Sequence, residues 1–169
     1  MLQDQTDIEL IDRLRTMNRV LDRIVPDSPD HTFEKTIEIT LEAVAHQKIS
    51  EAAEILEHAL RADKSWLRGY LLLATIYQCT EQFTQAITTL GRGLNICANG
   101  FRLLSAPRWV AIVGGLNGPL VHKRLRRNAE RFKRYEQIFR HRMVILQIHA
   151  GRLDDAIEQW IALEGEHCV

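Results

Sequence analysis

Apolar positions recur along this chain at the spacing of amphipathic helices, with few interruptions. Over residues 7–25, Ile8, Ile11, Leu14, Leu21 and Ile24 fall three or seven apart, and Thr6 or Asp7 can cap the start. The stretch Pro26 to Pro29 ends that helix. The same periodicity predicts helices over about 31–47, 50–62, 65–80 and 83–97. Asn99-Gly100 reads as a turn, followed by a helix over about 101–113 that contains Pro107. GGLNGP at 114–119 is a second turn, with Pro119 suited to a first helical position. No breaker then occurs until Gly151, while Val121, Leu125, Phe132, Phe139, Met143 and Leu146 recur three to seven apart. That predicts either one helix of about 30 residues or two helices with a tight joint near Tyr135. A last helix covers 153–164.

A second, longer period lies over the first. Residues 33–100 repeat at a spacing of 34: Ile39 falls on Leu73, Thr40 on Ala74, Ala43 on Tyr77, Ala52 on Ala86, Leu56 on Leu90 and Ala59 on Gly93. Fixed offsets of apolar and small residues mark a stacked helical array. Small residues on a helix face let the neighbouring helix approach closely. Counting from Leu67, the large, small and aromatic positions are Tyr70, Leu73, Ala74, Tyr77, Ala86, Leu90 and Gly93. Counting from Phe33, the weaker set is Thr40, Ala43, Ala52, Leu56 and Ala59. Near the C-terminus GRLDDAIEQW supplies Ala156, Trp160 and Leu163, with Met143 before it and Trp160 at the aromatic packing position.

This pattern resembles the tetratricopeptide repeat, a unit of two antiparallel helices. The resemblance implies an all-α, right-handed superhelix forming a single domain over 1–169. It would hold an N-terminal helix (7–25), units at about 33–66, 67–100 and 137–169, and an irregular, basic third unit over 101–136. That third unit departs from the pattern. Pro107 stands where Leu is expected, Leu120 where Ala is expected and Arg124 where the aromatic is expected. It is either a degenerate repeat or an insert.

Hydrophobic content of 46% and charged content of 26% are ordinary for a soluble chain. The acidic, polar start MLQDQTDIEL is unlike a signal peptide, and the apolar run from Trp109 to Val121 is too short and broken to span a membrane. Cys79, Cys97 and Cys168 are odd in number and widely spaced, which argues against a disulfide framework and for a reducing, cytoplasmic setting.

The zero net charge hides a separation. Residues 1–60 carry net −7, residues 123–142 net +7 and the last 27 residues net −4. On a helix Lys123, Arg124, Arg127, Arg131 and Arg134 gather roughly opposite Leu125, Phe132 and Phe139. Such a face is a solvated surface, or is neutralised by the acidic half, or attracts an acidic protein, nucleic acid or anionic lipid in a salt-dependent way.

Catalytic and metal chemistry find little support. No two of the seven histidines stand four apart, no serine sits in a nucleophile turn, and GGLNG lacks the Lys-Ser/Thr ending of a phosphate loop. The chain reads as a non-enzyme without cofactor or metal.

The resemblance implies a concave groove lined by the first helix of each unit. Here those positions are Glu34, Ile37, Leu41 and Val44; Arg68, Leu71, Thr75 and Gln78; Arg102, Ser105, Trp109 and Ile112; and Ile138, His141, Ile145 and Ile148. Ile37 and Leu41 stand where one subset of the family carries a Lys/Asn clamp, so that clamp is absent. The expected function is a protein-interaction module (adaptor, scaffold or dedicated chaperone). Its groove would hold a helix or extended apolar segment, acidic where it meets the basic face, and self-association stays open. Arg68, Leu71, Thr75, Gln78, Arg102 and Trp109 are the groove candidates, and truncating Arg68, Leu71 or Trp109 should weaken binding without unfolding. The alternative is a nucleic-acid or membrane-surface binder acting through residues 122–142.

Overall fold

The computed structural model describes the backbone of residues 2–24, 33–105 and 118–167, and the side chains of 8–23, 33–100 and 126–164. Among the described residues every regular element is a helix: α1 (Leu2–Ile24), α2 (Glu34–Ala45), α3 (Ile49–Ala62), α4 (Leu67–Cys79), α5 (Phe83–Ser105), α6 (Gly118–His149) and α7 (Leu153–His167). The all-α expectation holds. No described helix is long and apolar enough to cross a membrane.

Three hairpins, α2/α3, α4/α5 and α6/α7, are closed by one turn used three times. Gln47, Glu81 and Gly151 have φ of 60°, 59° and 72°. The next amide reaches back to the same relative carbonyl each time: Lys48 to Ala43 (2.9 Å), Gln82 to Tyr77 (2.8 Å) and Arg152 to Gln147 (2.8 Å). This left-handed closure satisfies the last carbonyls of the first helix and turns the chain back. It recurs after 34 and then 70 residues, the spacings found in the sequence. One turn further on, the buried Ala52, Ala86 and Ala156 occupy equivalent places on the second helices. A different joint links α3 to α4, where the Asp63 carboxylate accepts from the Ser65 amide and hydroxyl at 2.8 and 2.6 Å. Trp66 follows, buried and stacked on Phe33 at 4.4 Å.

The middle of the chain differs from a separate hairpin at 101–136. Helix α5 runs straight through Asn99-Gly100, and α6 continues past Tyr135 as one helix of 32 residues. The expected turn at Asn99-Gly100 is therefore absent, and the single long helix is the alternative that forms. The glycine serves packing instead. A Cβ on Gly100 would lie 2.7 Å from the Phe132 ring, and one on Gly93 would lie 2.5 Å from the Phe139 ring. Gly93 faces Phe139 and Gly100 faces Phe132, seven residues along in opposite directions, so α5 and α6 run antiparallel in one long seam. Helices of 23 and 32 residues form this seam, against 12 to 14 in α2, α3 and α4. The turn expected at 114–119 falls largely outside the described residues.

One core cluster joins α1 to α6, from Leu10, Leu14, Met17 and Leu21 through Leu56, Leu73, Ala86 and Phe139 to Leu146. The stripe of α1 that is buried is Leu10, Leu14, Met17 and Leu21, whereas Ile8 is exposed. A small separate cluster, Val144, Ala156 and Leu163, seats α7 on α6. Trp160, expected as packing, is half-exposed instead and meets His141 edge-on at 6.1 Å. Among the described residues α7 packs chiefly on α6, which leaves Trp160 half-open.

Candidate functional site: the groove between α1, α4 and α6

Helix α1 lies against α2 and α4. It thereby covers much of the surface that the family resemblance would assign to a ligand. Arg68 is buried, donating to Asp22 at 2.6 Å and to Asn18 at 2.9 Å. Thr75 is buried with its hydroxyl on the Leu71 carbonyl at 2.9 Å and 3.8 Å from the Met17 sulfur. Leu71 is 1% exposed and belongs to the core. Truncating it removes core packing rather than a surface contact, so the expectation of harmless truncation does not suit Leu71. Of the four α4 positions, Gln78 alone is half-open.

What remains open is a groove of about 850 Å³ between α1, α4 and α6. Its apolar lining comes from Ile8, Met17, Val20 and Leu21 of α1 and Ile138 of α6. Thr75 and Gln78 form its floor on α4, and Glu9, Asp12, Arg13 and Arg142 bring the charge. Arg13 binds Glu9 one turn before it and reaches the Cys79 sulfur at 3.9 Å. Arg142 is half-buried, with one nitrogen 3.4 Å from the Gln78 amide oxygen and another 3.3 Å from the Met17 sulfur. Burial lowers its pKa below the ordinary arginine value, with Cys79 opposing and Arg13 adding to the shift. Burial also raises the Cys79 thiol, which stays protonated. Cys97, deeper in the α5/α6 seam, is pushed up to about 12 by burial and is inert.

The sequence reading placed Ile138 in the groove but missed Arg13, Met17 and Arg142. Arg142 was counted in the basic block. The available signal was its position one turn after Ile138 and one turn before Leu146, on the edge of the apolar face. The other predicted residues are dispersed. Arg102, Trp109, Lys123 and Arg124 lie outside the described side chains. Arg127 and Arg134 are exposed on α6 and Arg131 is half-buried. Arg126 pairs with Glu130 at 3.1 Å and Arg140 with Glu136 at 2.7 Å, both partners lying on α6 itself. Among the described residues, no group of three His, Cys, Asp or Glu side chains is placed to hold a metal ion. No family model matches the chain, and no curated protein or solved structure matches it either.

Proposed function

We propose that the chain is a non-enzymatic interaction module, an adaptor, scaffold or dedicated chaperone, built as a right-handed tetratricopeptide-like superhelix. The observation that carries this is the groove itself: an open, apolar-sided channel between α1 and the first helices of the second and third hairpins, with a few polar groups converging in it. Channels of that character suit a helix or an extended segment of another protein. The thrice-repeated turn at spacings of 34 and 70 supports the array reading. Helix α1 then acts as one wall of the channel rather than as an appendage.

A photo-crosslinking amino acid placed at Ile8 or Val20, both exposed groove residues, should capture one dominant protein from the native lysate. The same probe at exposed Lys64, in the α3–α4 joint, should not. Equal capture at all three positions, or none at Ile8 and Val20, overturns the groove reading.

One observation favours a second reading. Arg126, Arg127, Lys133 and Arg134 are all exposed along α6. Such a face attracts polyanions with strongly salt-dependent affinity. Binding to a labelled oligonucleotide or anionic vesicles is expected to be weak and to vanish at physiological salt. Tight binding that survives such salt, and is lost when Arg124, Arg127, Arg131 and Arg134 become Gln, establishes the nucleic-acid or membrane-surface function instead.

A further inference from the structure

Arg142 is an arginine at the groove without a carboxylate among the described residues. Its neighbours show the contrast. Buried Arg68 has Asp22 and half-buried Arg140 has Glu136. Arg142 has only a long contact to the Gln78 amide oxygen and one to a thioether, which is a weak acceptor. Those two atoms take only part of its five N–H donors, and no nitrogen of Arg142 is sealed away without a partner, so the remaining donors stay open to a ligand. Of the two acids in the lining, Glu9 is held by Arg13, and exposed Asp12 bonds to neither guanidinium. The two cations flank adjacent residues of α4, with Arg13 on Cys79 and Arg142 on Gln78. Ile8, Met17, Val20 and Ile138 supply apolar surface around them.

We propose that Arg142 is the anchor for an acidic side chain, Asp or Glu, of a bound protein segment whose apolar residues lie along Met17, Val20 and Ile138. This rests on the groove-binding reading and names the chemistry of the partner. The planar guanidinium takes a carboxylate through two parallel bonds, which a Gln or an ammonium cannot copy. The charge complementarity is local. The segment needs one acid placed among apolar residues, and a generally acidic sequence is not required.

The test uses the full chain and a displayed library of random peptides, with the enriched peptides then synthesised as probes. They should carry Asp or Glu between apolar residues. Changing that residue to its amide should weaken binding about 30-fold or more, as should Arg142→Gln, and the two losses should not add. Arg142→Lys should recover only part. Arg142→Met should fold at least as stably as the parent, because it removes a poorly paired charge. A marked fall in Tm for Arg142→Met makes the residue structural and overturns the proposal. Enriched peptides without an acid, or binding that ignores Arg142→Gln yet is blocked by Val20→Arg, sink the anchor and leave the groove reading standing. Failure to enrich any peptide sensitive to Val20→Arg removes both. Inorganic phosphate that binds in an Arg142-dependent way, with no acidic peptide enriched, makes this a free-anion site instead.

Discussion

Gly93→Ala is expected to destabilise the protein by about 1–3 kcal/mol, although alanine is the better helix residue by about 1 kcal/mol. Gly93 is buried on α5, and the new Cβ would lie 2.5 and 2.6 Å from two carbons of the Phe139 ring. That ring cannot easily yield. Phe139 is fully buried and is backed by Tyr135 at 6.3 Å between ring centres. Phe139→Ala should cost about 3–5 kcal/mol through the cavity it leaves. Placed together, Gly93→Ala and Phe139→Leu should cost less than the sum of the two single changes, because the smaller side chain admits the new methyl. Gly91 is the control: a Cβ there meets nothing within 4 Å, so Gly91→Ala should be stabilising by about 0.5–1 kcal/mol. Denaturant unfolding of the five variants decides the matter. A neutral Gly93→Ala, or strict additivity with Phe139→Leu, means that α5 and α6 do not meet at this point.

That contact also shows where sequence reading ends. The hairpins were legible because their signal is local and repeated. Ala52 and Ala86 are small where two helices touch, and the turns at Gln47 and Glu81 stand 34 residues apart. Asn99-Gly100 misled for a tertiary reason. The dipeptide favours a turn, yet the glycine is needed so that Phe132 can press against the α5 backbone. A helix interior tolerates glycine at modest cost when a ring fills the vacated space. The groove was legible in part. Repeat positions pointed to Arg68, Leu71 and Thr75, but no period within the array says that α1 will lie across them. The apolar residues of α1 are spread over more than one stripe, and which stripe is buried depends on the surface it meets. Leu10, Leu14, Met17 and Leu21 turn inward, with Met17 and Leu21 still edging the groove, while Ile8 and Val20 stay exposed along it. Arg142 was hidden by its neighbours, since a residue in a cationic run reads as solvated until the packing around it is known.

Leu14→Asp is expected to release α1 while the hairpins stay folded. Leu14 is 2% exposed within the cluster that seats α1 on the rest of the core. The change forfeits the apolar burial, on the scale of the about 2–5 kcal/mol lost in Leu→Ala changes. It also buries a carboxylate without a partner, which costs several kcal/mol more unless the site opens. Against this, the described hold on α1 is modest: three other buried apolar side chains with Ile11 beside them, Asn18 and Asp22 on Arg68, and weak sulfur contacts at Met17 and Cys79. Asp22 is itself 55% exposed, so its pair with Arg68 is partly screened and adds little. The hairpins do not depend on α1 for their internal packing. Leu56 and Leu60 of α3, Leu73 of α4 and Leu90 of α5 are buried, and α2/α3 and α4/α5 pack on each other directly. Local opening is therefore the cheaper response. Hydrogen exchange read by mass spectrometry should show residues 10–23 losing protection, with α3 and α5 retaining most of theirs. Leu14→Met, which conserves volume, should leave the pattern unchanged. Crosslinking from Ile138 to a groove partner should disappear together with the protection of α1, because one wall of the channel has gone. Loss of protection in α3 and α5 at the same rate as in α1 would show that the first helix is an indivisible part of the folded core, and that the groove has no movable wall.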